Sequence, residues 1–171
     1  TDVTDAGAVQ RLADTAWEHH GRLDGWVNNA GVSLFGRFEE VPLEAFRRVI
    51  ETNFFGYVHG ARAALPRFRE QGHGVLVNVS SVAGRVGQPA TSAYCASKFA
   101  INGLGACLRE ELLDEDDIHV CTVLPGSVDT PLFQHAANYT GHEVKPGTPM
   151  LHPARVARAI VSCLENPRSE V

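Results

Sequence analysis

Val75-Leu76-Val77-Asn78-Val79-Ser80-Ser81 is the stretch that decides the fold of this chain. It is almost continuously apolar from residue 74 to residue 80, which is typical of a strand in a parallel sheet that is covered on both faces. Candidate helices and strands alternate on either side of it, and this order indicates an α/β sheet with right-handed crossovers. We expect helices at residues 5–20, 42 or 43 to about 70, 92–113 and 153–164, and strands ending at 28 and spanning 74–80 and 118–124. Proline at position 66 is expected to bend the long helix.

Three polar side chains near this strand point to proton chemistry. Tyr94 and Lys98 are four residues apart, so they share one face of a helix, and Ser81 lies thirteen residues before Tyr94. A phenol with a pKa of about 10 exchanges protons poorly at neutral pH, and a nearby cation lowers that pKa. A hydroxyl at a strand end could hold a substrate oxygen against the phenol. The set predicts an enzyme acting on a carbonyl or an alcohol, although a chance Tyr-x-x-x-Lys and a capping serine explain each part alone.

Four further patterns follow one another in a fixed order. They are Asn28-Asn29-Ala30-Gly31, Asn53-Phe54-Phe55-Gly56, Ser80-Ser81-Val82-Ala83-Gly84 and Pro125-Gly126-Ser127-Val128-Asp129-Thr130. Together with the Tyr-Lys pair they closely resemble the short-chain dehydrogenase/reductase (SDR) family over essentially the whole chain. The resemblance implies a single Rossmann-like domain over residues 1–171, with a doubly wound parallel sheet in three α/β/α layers. It also implies an oxidoreductase that moves a hydride between nicotinamide and a carbonyl or secondary alcohol.

The same resemblance implies roles for particular residues. The catalytic residues would be Asn53, Ser81, Tyr94 and Lys98. Tyr94 would be the general acid and base, Lys98 would lower its pKa and bind the nicotinamide ribose, and Ser81 would hold the substrate oxygen. Asn53 would hold a proton-relay water in a locally opened helix. The residues expected to bind NAD or NADP are Asp2, Val3, Asn29, Ala30, Gly31, Tyr94, Lys98, Pro125, Gly126, Val128 and Thr130. The sequence does not choose between the two cofactors.

One departure from the family is serious, because nothing here resembles the glycine-rich turn that cradles the pyrophosphate. Asp2-Val3 resembles the pair that follows the family's third strand, so the first strands and that turn are expected to be absent. The fold is therefore expected to be incomplete at both ends. The chain is either a fragment of a longer enzyme, which we favour, or a catalytic half without its phosphate cradle.

Composition limits the other possibilities. The formal net charge of −5, from 15 basic and 20 acidic residues, gives no electrostatic case for nucleic acid. No apolar stretch approaches the roughly 20 residues that a membrane-spanning helix needs. The four cysteines lack metal-ligand spacing, so we expect no metal site and a cytoplasmic protein with reduced thiols. Residues 131–150 look like a mobile substrate lid, and helices 43–70 and 92–113 correspond to those through which family members form homodimers or homotetramers.

Two other functions remain as alternatives. A serine hydrolase is disfavoured because the chain has no Gly-x-Ser-x-Gly turn around Ser81. A non-catalytic domain that keeps the motifs but does not bind cofactor is the stronger alternative, and titration with NADH or NADPH would separate it from the enzyme.

Overall fold

The computed structural model describes residues 1–145 and 147–171 and shows alternating helices and strands. In chain order the elements are α1 (Ala6–His20), β1 (Gly25–Asn28), β2 (Leu34–Phe35), α2 (Leu43–Ile50), α3 (Gly56–Gln71), β3 (Gly74–Val79), α4 (Ser92–Glu111), β4 (Ile118–Val123), α5 (Leu132–His135), β5 (Ala137–Asn138) and α6 (Pro153–Glu165). A π-helical turn, Glu51–Phe55, joins α2 to α3, and a short 3-10 turn, Val82–Gly84, follows β3. The expected helices and main strands are all present, with ends that differ by a few residues.

The main sheet is parallel, with strand order β1-β3-β4. The central strand β3 pairs Asn78 with Asn28 on one side and Val79 with Val123 on the other. Every residue of β3 is buried, as its continuous apolar sequence predicts for a strand covered on both faces. At the outer edge of β4, residues 169–171 run parallel to the strand, and the Val171 amide donates to the Thr122 carbonyl over 3.0 Å.

Helices cover both faces of this sheet. On one face, α1, α3 and α4 pack around a cluster that includes Phe68, Leu76 and Val120. On the other face, α6 covers Val77 and Cys121. The resulting three-layer α/β/α arrangement confirms the Rossmann-like fold that the sequence predicts.

Glycines end two of the helices that cover the first face. Gly21 follows α1 with φ of +68°, and Gly72 follows α3 with φ of +82°. This left-handed conformation costs little for glycine, and the glycine amide can then reach back to the last turn. The Gly21 amide donates to the Trp17 carbonyl, so the chain leaves α1 directed towards β1.

The irregularity in the long helix lies at the π-helical turn rather than at Pro66. Residues 51–55 open the helix by one residue around Asn53, whereas Pro66 lies inside α3. The opened helix that the resemblance implied at Asn53 is therefore present in the structure. A π turn widens the helix locally and is often found at functional sites.

The segment expected to be a mobile lid contains regular structure. Within residues 131–150, β5 pairs in parallel with β2, joining Leu34 to Ala137 and Phe35 to Asn138. The Tyr139 amide also donates to the Phe35 carbonyl over 2.7 Å. The prediction of an unstructured loop was incomplete, because two-residue strands that pair across about a hundred residues leave no periodic signal. Pro146 lies outside the described residues. No described helix combines the length and apolarity needed to cross a lipid bilayer.

Candidate active site

A cavity of about 800 Å³ lies beyond the carboxyl ends of the three main strands. Its wall includes Asn29 after β1, Ser81 after β3 and Pro125 after β4. Ligands of open α/β sheets bind at this edge, because the loops that follow parallel strands meet there. Tyr94 and Lys98 of α4 also line the cavity, so the fold brings the residues predicted from the sequence to one place.

Tyr94 and Ser81 both line this cavity. Burial raises the pKa of the Tyr94 phenol above its usual value, and the nearby Ser81 hydroxyl opposes that rise. The Ser81 hydroxyl also accepts from the Ala83 amide over 3.1 Å and lies 3.3 Å from the Pro125 carbonyl. These two contacts hold the Ser81 hydroxyl at the wall of the cavity that Tyr94 also lines.

Lys98 is almost completely buried behind the phenol. Its ammonium nitrogen Nζ lies 5.5 Å from the centre of the Tyr94 ring and donates to the Val79 carbonyl over 2.9 Å. Burial lowers the pKa of Lys98 to about 7, because desolvation penalises the charged amine. The amine lies beside the phenol, as the sequence predicts. A charged amine alone would lower the pKa of the phenol, whereas burial raises the pKa of Tyr94 and lowers that of Lys98.

Tyr57 shares the Val79 carbonyl with Lys98. Its hydroxyl donates to that oxygen over 2.7 Å, and Lys98 Nζ lies 5.4 Å from the centre of its ring. Lys98 therefore lies between two tyrosine rings, one on α3 and one on α4. Tyr57 was not among the predicted site residues, although it lies only four residues after Asn53.

Asn53 is fully buried and its side chain is held by protein groups on both sides. Its Oδ1 accepts from the Val32 amide over 2.8 Å, and its Nδ2 donates to the Val32 carbonyl over 2.9 Å and to Ser97 Oγ over 3.1 Å. The Ser97 hydroxyl in turn donates to the Tyr94 carbonyl over 2.7 Å. Asn53 thus fastens the loop after β1 to the turn of α4 that carries Tyr94. A role for Asn53 in holding a relay water stays a prediction.

The residues expected to bind cofactor divide between two neighbouring cavities. The main cavity is lined by Asn29, Gly31, Tyr94, Lys98, Pro125, Gly126, Val128 and Thr130. A second cavity, of about 140 Å³, is lined by Val3, Asn29 and Ala30 beside Trp26. Val27 and Asn29 line both, so the two cavities are neighbours at the end of β1.

Asp2 lines neither cavity. It is exposed, and its carboxylate accepts from the amide and the hydroxyl of Thr4. These two hydrogen bonds hold the pKa of Asp2 below its usual value. The resemblance alone therefore supports a cofactor contact at Asp2.

Two neighbours of the motif residues have structural contacts. Ser80, the poorer catalytic candidate, directs its hydroxyl to the Lys98 carbonyl at 3.3 Å. Asn28, expected to be structural, donates to Asn78 Oδ1 over 2.9 Å and accepts from Trp26 Nε1 over 2.8 Å. Asn28 therefore braces β1 against β3 below the cavity.

Several lining residues were not singled out from the sequence. Leu132 and Phe133 belong to the 131–150 segment that was expected to be a substrate lid, whereas Phe35, Val156 and Ile160 lie outside any segment with an expected site role. The aromatic pair Phe35 and Phe133 comes from segments that are remote in sequence, and no local pattern joins them. Within the described residues, no group of three histidine, cysteine, aspartate or glutamate side chains is placed to hold a metal ion.

Comparison with known proteins gives a consistent result. The family model for short chain dehydrogenases matches residues 1–140. An uncharacterized oxidoreductase of Bacillus subtilis, YxnA, is 38% identical over 99% of this chain and 49% of its own length. The probable oxidoreductase EphD of Mycobacterium tuberculosis is 44% identical over 75% of this chain and 22% of its own length. The chain thus spans half or less of the length of these two curated relatives.

Solved structures agree in fold. A short-chain dehydrogenase from Streptomyces avermitilis superimposes with a TM-score of 0.85 at 33% identity, over all of this chain and 67% of that one. An alcohol dehydrogenase from Thermococcus sibiricus, complexed with 5-hydroxy-NADP, gives a TM-score of 0.80 at 28% identity, over 99% of this chain and 70% of that one. With the cavity, the Ser-Tyr-Lys arrangement and the family match over most of its length, this chain belongs to the short-chain dehydrogenase family.

Proposed function

We propose that the protein catalyses reversible hydride transfer between the nicotinamide of NAD or NADP and a carbonyl or secondary alcohol. The observation that carries this proposal is that Tyr94 and Ser81 line the same cavity, with the buried amine of Lys98 beside the Tyr94 ring. A phenol and a hydroxyl side by side can both reach one substrate oxygen, which is what proton transfer to that oxygen requires.

The residues of the main cavity fit a nicotinamide nucleotide. Lys98 has three N–H donors and gives one to the Val79 carbonyl, which leaves donors for ribose hydroxyls. At Gly126, an added Cβ would meet nothing within 4 Å, so a ligand can approach this backbone closely. The two cavities share the lining residue Asn29, so they are neighbours, as the two ends of an elongated dinucleotide would need. The solved alcohol dehydrogenase complexed with 5-hydroxy-NADP adds support by its similarity.

When bound, the nicotinamide would supply the hydride in reduction and accept it in oxidation. Ser81 would donate a hydrogen bond to the substrate oxygen and stabilise the negative charge that develops there. Tyr94 would give its proton to that oxygen as the carbonyl becomes an alcohol, and would take a proton back in the reverse direction. A charged Lys98 would favour the phenolate between these steps. Asn53 would keep the Tyr94 turn of α4 in place through Ser97.

Replacement of Tyr94 by phenylalanine in the full-length protein tests this assignment. Tyr94→Phe keeps the ring but removes the transferable proton, so turnover should fall by about a hundredfold or more. Tyr139→Phe is the matched control, because Tyr139 is the tyrosine of the 131–150 segment and does not line the cavity. Turnover is followed as NADPH or NADH absorbance, and folding by circular dichroism.

Cofactor titration separates this enzyme from a non-catalytic family domain. A saturable change in NADH or NADPH fluorescence is expected for wild-type protein and for Tyr94→Phe alike. A folded protein that binds neither nucleotide would establish the non-catalytic alternative, and wild-type turnover in Tyr94→Phe would reject the proton-transfer role.

A further inference from the structure

We propose that the substrate of this site is an uncharged ketone or secondary alcohol that carries an aryl group, which packs against Phe133. This inference rests on the proposed oxidoreductase function and specifies its substrate class. It follows from two properties of the cavity: an aromatic pair in its wall, and the absence of arginine, aspartate and glutamate among its described lining residues.

The aromatic wall is formed by Phe35 and Phe133. Their ring centres lie 6.1 Å apart with an angle of 12° between the planes, an offset-stacked arrangement. Phe35 is buried at 7% exposure, whereas Phe133 is half-buried and keeps part of its ring open to the cavity. A substrate ring could extend this stack from the open side of Phe133.

Apolar side chains continue the wall on both sides of the pair. Leu132 precedes Phe133 on α5, and Val156 and Ile160 reach the cavity from α6. All three are half-buried, so each retains apolar surface that a ligand can cover. Burying an aryl ring against such surface is favourable by roughly 25 cal/mol per Å² of apolar area removed from water.

The described residues of the cavity offer no free counter-ion for an acidic substrate. The described lining residues include no arginine, aspartate or glutamate, and they include one lysine, Lys98. The Lys98 amine is already bonded to the Val79 carbonyl and lies behind the Tyr94 ring. His135 is exposed, so a charge there would be screened by water. A carboxylate or phosphate carried into the apolar part would lose its hydration without an equivalent partner.

A matched pair of ketones tests the exclusion of charge. Methyl 4-acetylbenzoate and 4-acetylbenzoate have the same aryl ketone, and they differ in whether the remote group is a neutral ester or a carboxylate. With the full-length protein and its preferred nucleotide, kcat/KM for the ester should exceed that for the carboxylate by at least about tenfold. Equal values, or a preference for the carboxylate, would overturn the proposal.

A second pair of ketones tests the aryl contact at Phe133. Wild-type protein should prefer acetophenone to butan-2-one in kcat/KM. Phe133→Ala should reduce that preference about fivefold or more, mainly through a higher KM for acetophenone, and Phe133→Leu should restore part of it. The control is Phe38→Ala, since Phe38 is 71% exposed, packs on Phe46 and does not line the cavity. An acetophenone preference that survives Phe133→Ala would overturn the aryl assignment.

The outcomes distinguish this proposal from the function on which it rests. If the protein reduces other carbonyl compounds but neither aryl ketone, the substrate class is wrong and the oxidoreductase assignment stands. If wild-type protein binds nucleotide but reduces no carbonyl compound and oxidises no alcohol, both proposals fail. Misfolding of Phe133→Ala would show in its circular dichroism, and Phe133→Leu then carries the comparison.

Discussion

Lys98 is expected to titrate near neutral pH, because burial lowers its pKa to about 7. At pH 7 about half of the molecules should carry the charged amine, and at pH 8.5 only about 3%, since each unit above the pKa is a factor of ten. The chain contains just one other lysine, the exposed Lys145. Residues 1–171 are therefore expected to give two lysine side-chain signals in an NMR spectrum of lysine-labelled protein, and Lys145→Met assigns them.

The same titration should appear in the stability of the protein. Between pH 7 and about pH 10 the unfolded chain binds a proton at Lys98 that the folded chain does not, so the free energy of unfolding rises with pH in that window. Below pH 7 both states are protonated and the contribution is constant. Between pH 7 and pH 9 the wild-type protein should gain about 2 kcal/mol relative to Lys98→Met.

Urea unfolding of wild type, Lys98→Met and Lys145→Met at several pH values measures this difference. Methionine keeps much of the chain volume of lysine and removes the charge, so the pH-dependent contribution should vanish in Lys98→Met and persist in Lys145→Met. A Lys98 signal that titrates near pH 10, together with parallel stability curves for wild type and Lys98→Met, would refute the reasoning.

Three other substitutions test the packing of the fold and the contacts of the site. Gly60→Ala would place a methyl group about 2.6 Å from Trp26 Nε1, so it should destabilise the protein by roughly 1–3 kcal/mol in urea unfolding. At Gly103 an added methyl group would meet no described atom within 4 Å, so Gly103→Ala should stabilise α4 by about 0.5–1 kcal/mol. Equal effects of the two would contradict the packing described. Tyr57→Phe removes one of two donors on the Val79 carbonyl, so the NMR titration of Lys98 should move to higher pH; an unchanged midpoint would show that the shared carbonyl does not matter.

The sequence located the proposed catalytic residues well because their relations are local. Tyr94 and Lys98 are one helical turn apart, and Ser81 directly follows a strand whose apolar sequence fixes its end. The structure brings all three to one cavity. Their protonation was less predictable, because it depends on how deeply neighbouring elements bury the amine and the phenol, and burial is a property of the whole fold.

Contacts between residues that are far apart in the sequence could not be predicted. The main helices and strands followed from periodicity, and Asn53 in a helical stretch correctly indicated an irregular turn. Tyr57 was missed because its partner is a backbone carbonyl on another element, which leaves no sequence signature. The pairing of β2 with β5 was missed for a similar reason, since each strand has two residues and they lie about a hundred positions apart.

That pairing has a consequence for attempts to change specificity by exchanging segments between relatives. Phe133 stands just before β5, and β5 is hydrogen-bonded to the segment that carries Phe35. A graft of residues 131–150 alone would bring a foreign strand to a native partner and disturb both halves of the aromatic wall. In a chimera of two relatives, residues 32–41 and 131–150 must therefore be exchanged together.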